Sequence, residues 1–167
     1  KTVFSDHELN EVAFDTLKGI LQYHLTPGEL TELIEGFFNG VPEIKRLTLL
    51  EKPLTTIPLE SPQDIERLIQ LSLQFIEDSP NQIFEFLGGF ITINSYTLPE
   101  AITEQLFSYA DRLPGFYQFL MKLFKAQLLT DQQIMSFIKS RSILTKDCNY
   151  FVRFYFMKLN NIKEVRL

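Results

Sequence analysis

The residues that could do chemistry form no known catalytic or metal-binding pattern. The sequence holds two histidines, His7 and His24, and one cysteine, Cys148. A zinc site needs several Cys or His ligands at set spacings, and the sequence contains neither a His-Glu-x-x-His pair nor a second cysteine. Gly88-Gly89 lacks the Lys-Ser/Thr of a phosphate-binding loop. We therefore predict no catalytic, cofactor-binding or metal-binding residue, and a protein that is not an enzyme.

The individual ionisable and nucleophilic residues have simpler structural interpretations. Free cysteines are among the residues most often buried, so Cys148 is predicted to lie in the core. His24 lies near the end of a predicted helix, where a positive charge complements the helix dipole. Glu29, Glu32 and Glu35 recur at three-residue intervals, as carboxylates on a solvated helix face do, and nothing near them suggests a pocket that would shift their pKa.

Basic residues concentrate in the last part of the chain. Residues 98–167 hold 10 Lys/Arg against 6 Asp/Glu, whereas residues 1–97 hold 6 against 15. Interleaved with aromatic residues, the basic set could bind acidic lipid headgroups or single-stranded nucleic acid, although the acidic first part argues against nucleic acid as a partner of the whole chain. The alternative is that these cations lie on the solvated faces of separate helices. The candidate anion-binding residues are Lys122, Lys125, Lys139, Arg141, Lys146 and Arg153.

A second candidate contact is the aromatic pair in Gly36-Phe37-Phe38-Asn39-Gly40. If exposed, Phe37 and Phe38 could insert into a groove of a partner or into a membrane interface. If buried, they would close the end of a helix, which is the more frequent arrangement. We keep both residues as candidate partner contacts.

Composition indicates a globular domain. The chain has 167 residues, of which 45% are hydrophobic and 22% charged, and it includes 16 Phe. One domain with a sizeable core is expected at this length, and disorder is not. A single cysteine excludes an internal disulfide and suits a reducing compartment, so a cytoplasmic location is predicted. The chain opens with Lys-Thr-Val-Phe rather than Met and shows no signal-peptide pattern, so we expect a fragment of a larger protein.

Several segments of the chain have the residue pattern of a helix N-terminus. Six segments have Ser or Thr followed three residues later by Asp, Glu or Gln, a pattern typical of helix N-termini. They begin at Ser5, Thr26, Ser61, Ser79, Thr97 and Thr130. Their spacing is uneven, which favours a compact bundle over an array of helical repeats. After Ser61, the residues expected to share one buried face are Ile65, Leu68, Ile69, Ser72, Leu73 and Ile76.

Residues 114–129 are predicted to form the central helix. In a helix, Gln118, Lys122 and Lys125 fall on one narrow polar stripe, and apolar residues cover nearly all of the remaining surface. Such a helix must be surrounded by other elements. It is too short and too often interrupted by polar residues to be a membrane span.

Two segments have strand-like composition. Gly88-Gly89 is predicted to end the helix that begins near Ser79, and residues 90–95 are then predicted to be a buried loop, because they have no partner strand. Residues 150–159 are rich in aromatic residues, which favours a strand. Residues at helical spacing, Cys148, Phe151, Val152, Tyr155, Leu159 and Ile162, favour a helix instead, and we predict a helix there.

The sequence thus predicts an all-α fold over residues 1–167, a compact bundle of about eight helices around a buried helix at 114–129. The predicted function is a non-catalytic interaction or scaffold domain that binds a protein partner. The alternative is an adaptor domain that binds anionic phospholipids, such as phosphoinositides, through its basic C-terminal third. Residue usage would suit a secreted bacterial effector in either role. No cofactor and no metal are expected.

Overall fold

The computed structural model describes Glu29, Glu32, residues 54–56 and residues 58–165, with side chains up to residue 160. Glu29 and Glu32 are helical and exposed. Six helices follow: α1 (Pro62–Leu73), α2 (Pro80–Ile93), α3 (Glu100–Ser108), α4 (Phe116–Lys125), α5 (Asp131–Lys139) and α6 (Lys146–Val165). The described residues contain no strand, which confirms the all-α class, but they form six helices rather than about eight. The starts predicted at Ser5 and Thr26 lie outside the described residues.

The contacts divide the chain into two compact units, residues 1–96 and 97–167. In the first unit, α1 begins as predicted, because Ser61 is its N-cap and the Ser61 Oγ accepts a hydrogen bond from the Asp64 amide at 3.3 Å. The predicted buried face is confirmed over its full length. Its buried members are Ile65, Leu68, Ile69, Ser72, Leu73 and Ile76.

The predicted end of the next helix at Gly88-Gly89 is wrong. Both glycines lie inside α2, which continues to Ile93, so residues 90–93 are helical rather than part of a loop. A glycine inside a helix costs about 1 kcal/mol relative to alanine. Burying one large apolar side chain contributes about 1.5–3 kcal/mol, which outweighs that cost. Such side chains flank the glycines on both sides: Phe86, Leu87, Phe90 and Ile91 are all buried.

In the second unit, the capping box predicted at Thr130 is confirmed. The Gln133 amide donates to Thr130 Oγ1 at 3.1 Å, and the Thr130 amide donates to Gln133 Oε1 at 2.9 Å. The Gln133 side chain also donates to Thr103 Oγ1 on α3, at 3.1 Å. The residues that start α5 therefore also join it to α3.

Helix α4 is shorter than the predicted helix at 114–129. It begins after Gly115, whose φ of 87° lies in the left-handed region that glycine adopts most easily, and Gln127 leaves the helix with a φ of 60°. The predicted polar stripe is exposed, and five apolar residues of α4 are buried. Those buried residues are Phe116, Phe119, Leu120, Leu123 and Phe124.

The ambiguous segment at 150–159 is helical, as predicted, and lies within α6. Cys148, Phe151 and Tyr155 form its buried face, which confirms the predicted burial of the thiol. Phe137 of α5 lies at the centre of an aromatic cluster. Its ring centroid is 4.8 Å from that of Phe107 and between 5.8 and 6.3 Å from those of Phe116, Tyr117 and Phe151.

None of the helices in the described part of the chain is long and apolar enough to span a membrane.

Candidate interaction surface

Helices α4 and α6 pack side by side and run in the same direction. The early α4 residue Tyr117 lies beside the first turns of α6, and the late residue Phe124 lies further along α6. The Phe124 ring is 5.9 Å from Phe151 and 6.0 Å from Phe154, centroid to centroid. The solvent-facing sides of α4 and α6 therefore lie next to each other.

The outer face of α6 carries an exposed stripe. Lys146, Tyr150, Arg153 and Met157 follow one another at intervals of four, three and four residues, which places them on one side of the helix. Tyr150 is 68% exposed and Met157 is 64% exposed. Two further apolar residues, Ile143 and Leu144, are exposed just before the helix. The stripe is about 16 Å long at the rise of an α-helix.

A cleft of about 310 Å³ opens between α4 and α6 beside this stripe. Phe151 is buried and Tyr150 is largely exposed, so the cleft leads from the core to the surface. Its lining residues are Tyr117, Gln118 and Met121 from α4 and Asp147, Tyr150 and Phe151 from α6. We define the α4–α6 surface as this cleft, the exposed stripe of α6, and the polar stripe of α4 formed by Gln118, Lys122 and Lys125.

Beyond the cleft, two lysines contact phenylalanine rings across the boundary between α4 and α6. The Lys125 Nζ on α4 lies 5.6 Å from the ring centroid of Phe154 on α6. The Lys158 Nζ on α6 lies 4.7 Å from the ring centroid of Phe124 on α4. Each helix thus places a cation against an aromatic ring of the other, an arrangement that contributes about 0.5–1 kcal/mol at an exposed site.

Four of the six predicted anion-binding residues lie on the α4–α6 surface. Lys122 and Lys125 are in the last turn of α4, and Lys146 and Arg153 are on the stripe of α6. Lys139 is instead the last residue of α5.

Arg141 is engaged elsewhere. Its Nη1 lies 3.3 Å from Asp111 Oδ2, and its guanidinium lies 4.9 Å from the ring centroid of Phe137. The candidate contacts Phe37 and Phe38 lie outside the described residues.

The Asp111 carboxylate holds one wall of the cleft in place. It accepts hydrogen bonds from Tyr117 Oη at 2.7 Å, Thr145 Oγ1 at 2.9 Å and Arg141 Nη1 at 3.3 Å. Burial by itself would raise the pKa of Asp111, but these three donors and the Arg141 charge outweigh it and lower the pKa. Burial, together with hydrogen bonding to Cys148 and Asp111, raises the pKa of Tyr117, so this hydroxyl keeps its proton.

A second cleft, of about 250 Å³, lies on the same helix pair near Tyr155 and Lys158. Tyr155 Oη donates to Asp131 Oδ1 at 3.2 Å, and burial and the Asp131 charge raise the pKa of Tyr155. The Asp131 carboxylate therefore already accepts a hydrogen bond from the Tyr155 hydroxyl, which keeps its proton. The volume of this second cleft is below the usual range for ligand pockets. Among the described residues, no three His, Cys, Asp or Glu side chains are grouped so that they could hold a metal ion.

Sequence reasoning did not select Tyr150 and Met157 as contact residues. The available signal was their seven-residue spacing, which places them together on the face of a helix opposite Cys148 and Tyr155. The cleft had no such signal, because it forms only where α4 meets α6.

No protein-family model, curated protein or solved structure matches the chain. Functional inference therefore depends on the surface itself.

Proposed function

We propose that this chain is a non-catalytic interaction domain that binds a protein partner through the α4–α6 surface. The observation that carries the proposal is the exposure of Tyr150 and Met157 on one stripe, at 68% and 64%. Exposed apolar side chains that share one helix face are a feature of many interaction sites. Aromatic residues, Met and Arg are also enriched in protein–protein interfaces, and Arg153 lies between these two residues on the stripe.

The cleft beside Tyr150 offers a recess for a side chain of a protein partner. Its volume of about 310 Å³ is at the lower end of the range for small-molecule pockets, about 300–1,000 Å³. A cleft of this size suits an anchoring side chain of a partner, and such anchors in well-packed pockets dominate binding energy at interfaces.

Site-specific photo-cross-linking tests the proposal. A photoreactive amino acid is placed at Met157 in the full chain, and at Gln70, an exposed residue of α1, as the control. In extracts of the source cells we expect a protein adduct at position 157 that is absent at position 70. Tyr150→Ala should then weaken the identified complex about tenfold or more in a titration. Failure to form an adduct at 157, or equal adducts at both positions, would refute a protein-binding role for this surface.

The second candidate is binding of anionic phospholipids through the same surface. It is favoured by the exposure of Lys122, Lys125, Lys146 and Arg153 on the two helices that line the cleft with exposed Tyr150, since basic and aromatic residues together suit a membrane interface. It ranks second because a flat bilayer surface would leave the concave cleft between α4 and α6 unfilled.

Co-sedimentation with phosphatidylserine vesicles and with neutral vesicles, at about 50 and 200 mM salt, tests this candidate. Salt-sensitive binding to the acidic vesicles alone, abolished by Lys122→Glu with Lys146→Glu, is the expected result for a lipid adaptor. Absence of binding at both salt concentrations would eliminate it.

A further inference from the structure

The charge of the α4–α6 surface is strongly one-sided. Helix α4 and residues 146–160 of α6 carry five basic side chains and one acidic side chain, Asp147. Within the described part of the chain, none of the five cations is paired with a carboxylate. They are Lys122, Lys125, Lys146, Arg153 and Lys158. A partner of complementary charge is acidic.

The spacing along the stripe indicates the conformation of the partner. Tyr150 and Met157 are seven residues apart, which is about 10.5 Å along α6. A partner helix alongside α6 presents its own residues i and i+7 at the same separation, on one face. An extended segment places side chains of one face about 6.6 or 13 Å apart and does not match this distance.

On this basis we infer that the partner docks as an acidic amphipathic helix lying along α6. One apolar side chain packs on Tyr150 at the mouth of the cleft, and a second, seven residues away, packs on Met157. Carboxylates flanking these anchors meet Lys146 and Arg153. This inference rests on the proposed protein-binding function and adds the chemistry of the partner to it.

Other occupants fit less well. A second copy of this surface would bring Lys122, Lys125, Lys146 and Arg153 against the same four residues, which opposes association. A lipid bilayer presents a flat interface, which would leave the concave cleft unfilled.

Selection from a phage-displayed library of helix-forming peptides about four turns long tests the inference. The full chain is the bait, and peptides that also bind Tyr150→Lys are removed. We expect the enriched peptides to be net negative with apolar residues at i and i+7. Binding of a selected peptide, followed by fluorescence anisotropy, should weaken at least tenfold for Lys146→Glu with Arg153→Glu. Exchanging the acidic residues of the peptide for Lys should restore binding to that double variant.

Two controls accompany the selection. Lys139→Glu reverses one charge on α5, outside the surface, which is half the charge change of the double variant, and should bind within about twofold of the wild type. Circular dichroism of every variant should show unchanged helicity, because all the substituted side chains are exposed.

Enriched peptides without an acidic excess, or peptides that bind the double variant as well as the wild type, would overturn the acidic-helix inference. An identified adduct at Met157 whose complex is weakened by Tyr150→Ala would in that case still support the proposed function, so the two failures are distinguishable. Binding to phosphatidylserine vesicles without any enriched peptide would overturn the inference in favour of a lipid surface.

Discussion

Tyr117 donates its phenolic hydrogen to Asp111 Oδ1 at 2.7 Å, so a residue outside any helix positions a side chain that lines the cleft. Asp111 has a φ of 63°, a left-handed conformation that Asp adopts more readily than most residues. The same carboxylate accepts from Thr145, whose Oγ1 also accepts from the Cys148 amide at the start of α6. One side chain therefore ties the beginning of α4 to the beginning of α6.

Removing the Tyr117 hydroxyl should destabilise the fold moderately. We expect Tyr117→Phe to lower the free energy of unfolding by about 1 kcal/mol, because Asp111 loses one of its three donors. Urea denaturation measures the change. Tyr109→Phe is the matched control, because within the described residues the Tyr109 hydroxyl makes only a long, exposed contact of 3.5 Å with Gln105. Equal changes in the two variants would contradict a specific role for the bond to Asp111.

The lowered pKa of Asp111 predicts a loss of stability in acid. Its folded-state pKa lies below the ordinary value of 3.8, so the folded protein binds this proton less tightly than the unfolded chain does. The resulting stabilisation is fully present above about pH 4 and is lost as the pH falls through the folded-state pKa. Asp111→Asn should therefore be less stable than the wild type at about pH 6, and the gap should close towards about pH 2.

Urea denaturation of both proteins across this pH range provides the measurement. A gap that stays constant down to the lowest pH would show that the charge on Asp111 does not contribute to stability.

Phe137 should be among the most sensitive positions in the second unit. It is 1% exposed and has four aromatic rings within 6.3 Å of its own. Phe137→Ala should reduce the free energy of unfolding by about 3–5 kcal/mol through lost burial and a residual cavity. Phe156 is the control, since it is 43% exposed, and Phe156→Ala should cost much less by thermal or urea denaturation. Similar losses for both would mean that the aromatic cluster around Phe137 is not the core of this unit.

The two glycines inside α2 should respond in opposite directions to alanine. Neither has a positive φ, and Gly89 is half-buried, so Gly89→Ala should raise the free energy of unfolding by about 1 kcal/mol. Gly88 is buried, and an added methyl group there should overpack the core and destabilise it by about 1–3 kcal/mol. Thermal denaturation compares the two variants. If both substitutions stabilised the protein, there would have to be room for a methyl group beside Gly88, contrary to this prediction.

Signals that are local in sequence predicted the all-α class and several helix starts. Ser61 and Thr130 mark helix starts because a capping side chain bonds an amide only three residues away. The helix end predicted at Gly88-Gly89 was wrong because non-local contacts outweigh the local preference of glycine. The local cost of a glycine is small, and the burial of Phe90 and Ile91, which depends on distant residues, decides that α2 continues.

The candidate surface could be predicted only in part. Lys122 and Lys125 were selected from composition, and both lie on the surface. Arg141 was selected by the same criterion, yet its charge is engaged by Asp111, thirty residues earlier in the chain. Such pairing depends on tertiary structure and leaves no periodic trace in the sequence.

The reciprocal contacts of Lys125 with Phe154 and of Lys158 with Phe124 also set the register of α6 against α4. Sliding α6 by one turn, about 5.4 Å, would separate both cations from their rings at once. It would also carry Tyr150 away from Met121 and thereby dismantle the cleft that the two residues line. The two lysines at one end of this helix pair thus help to keep the cleft at the other end in shape.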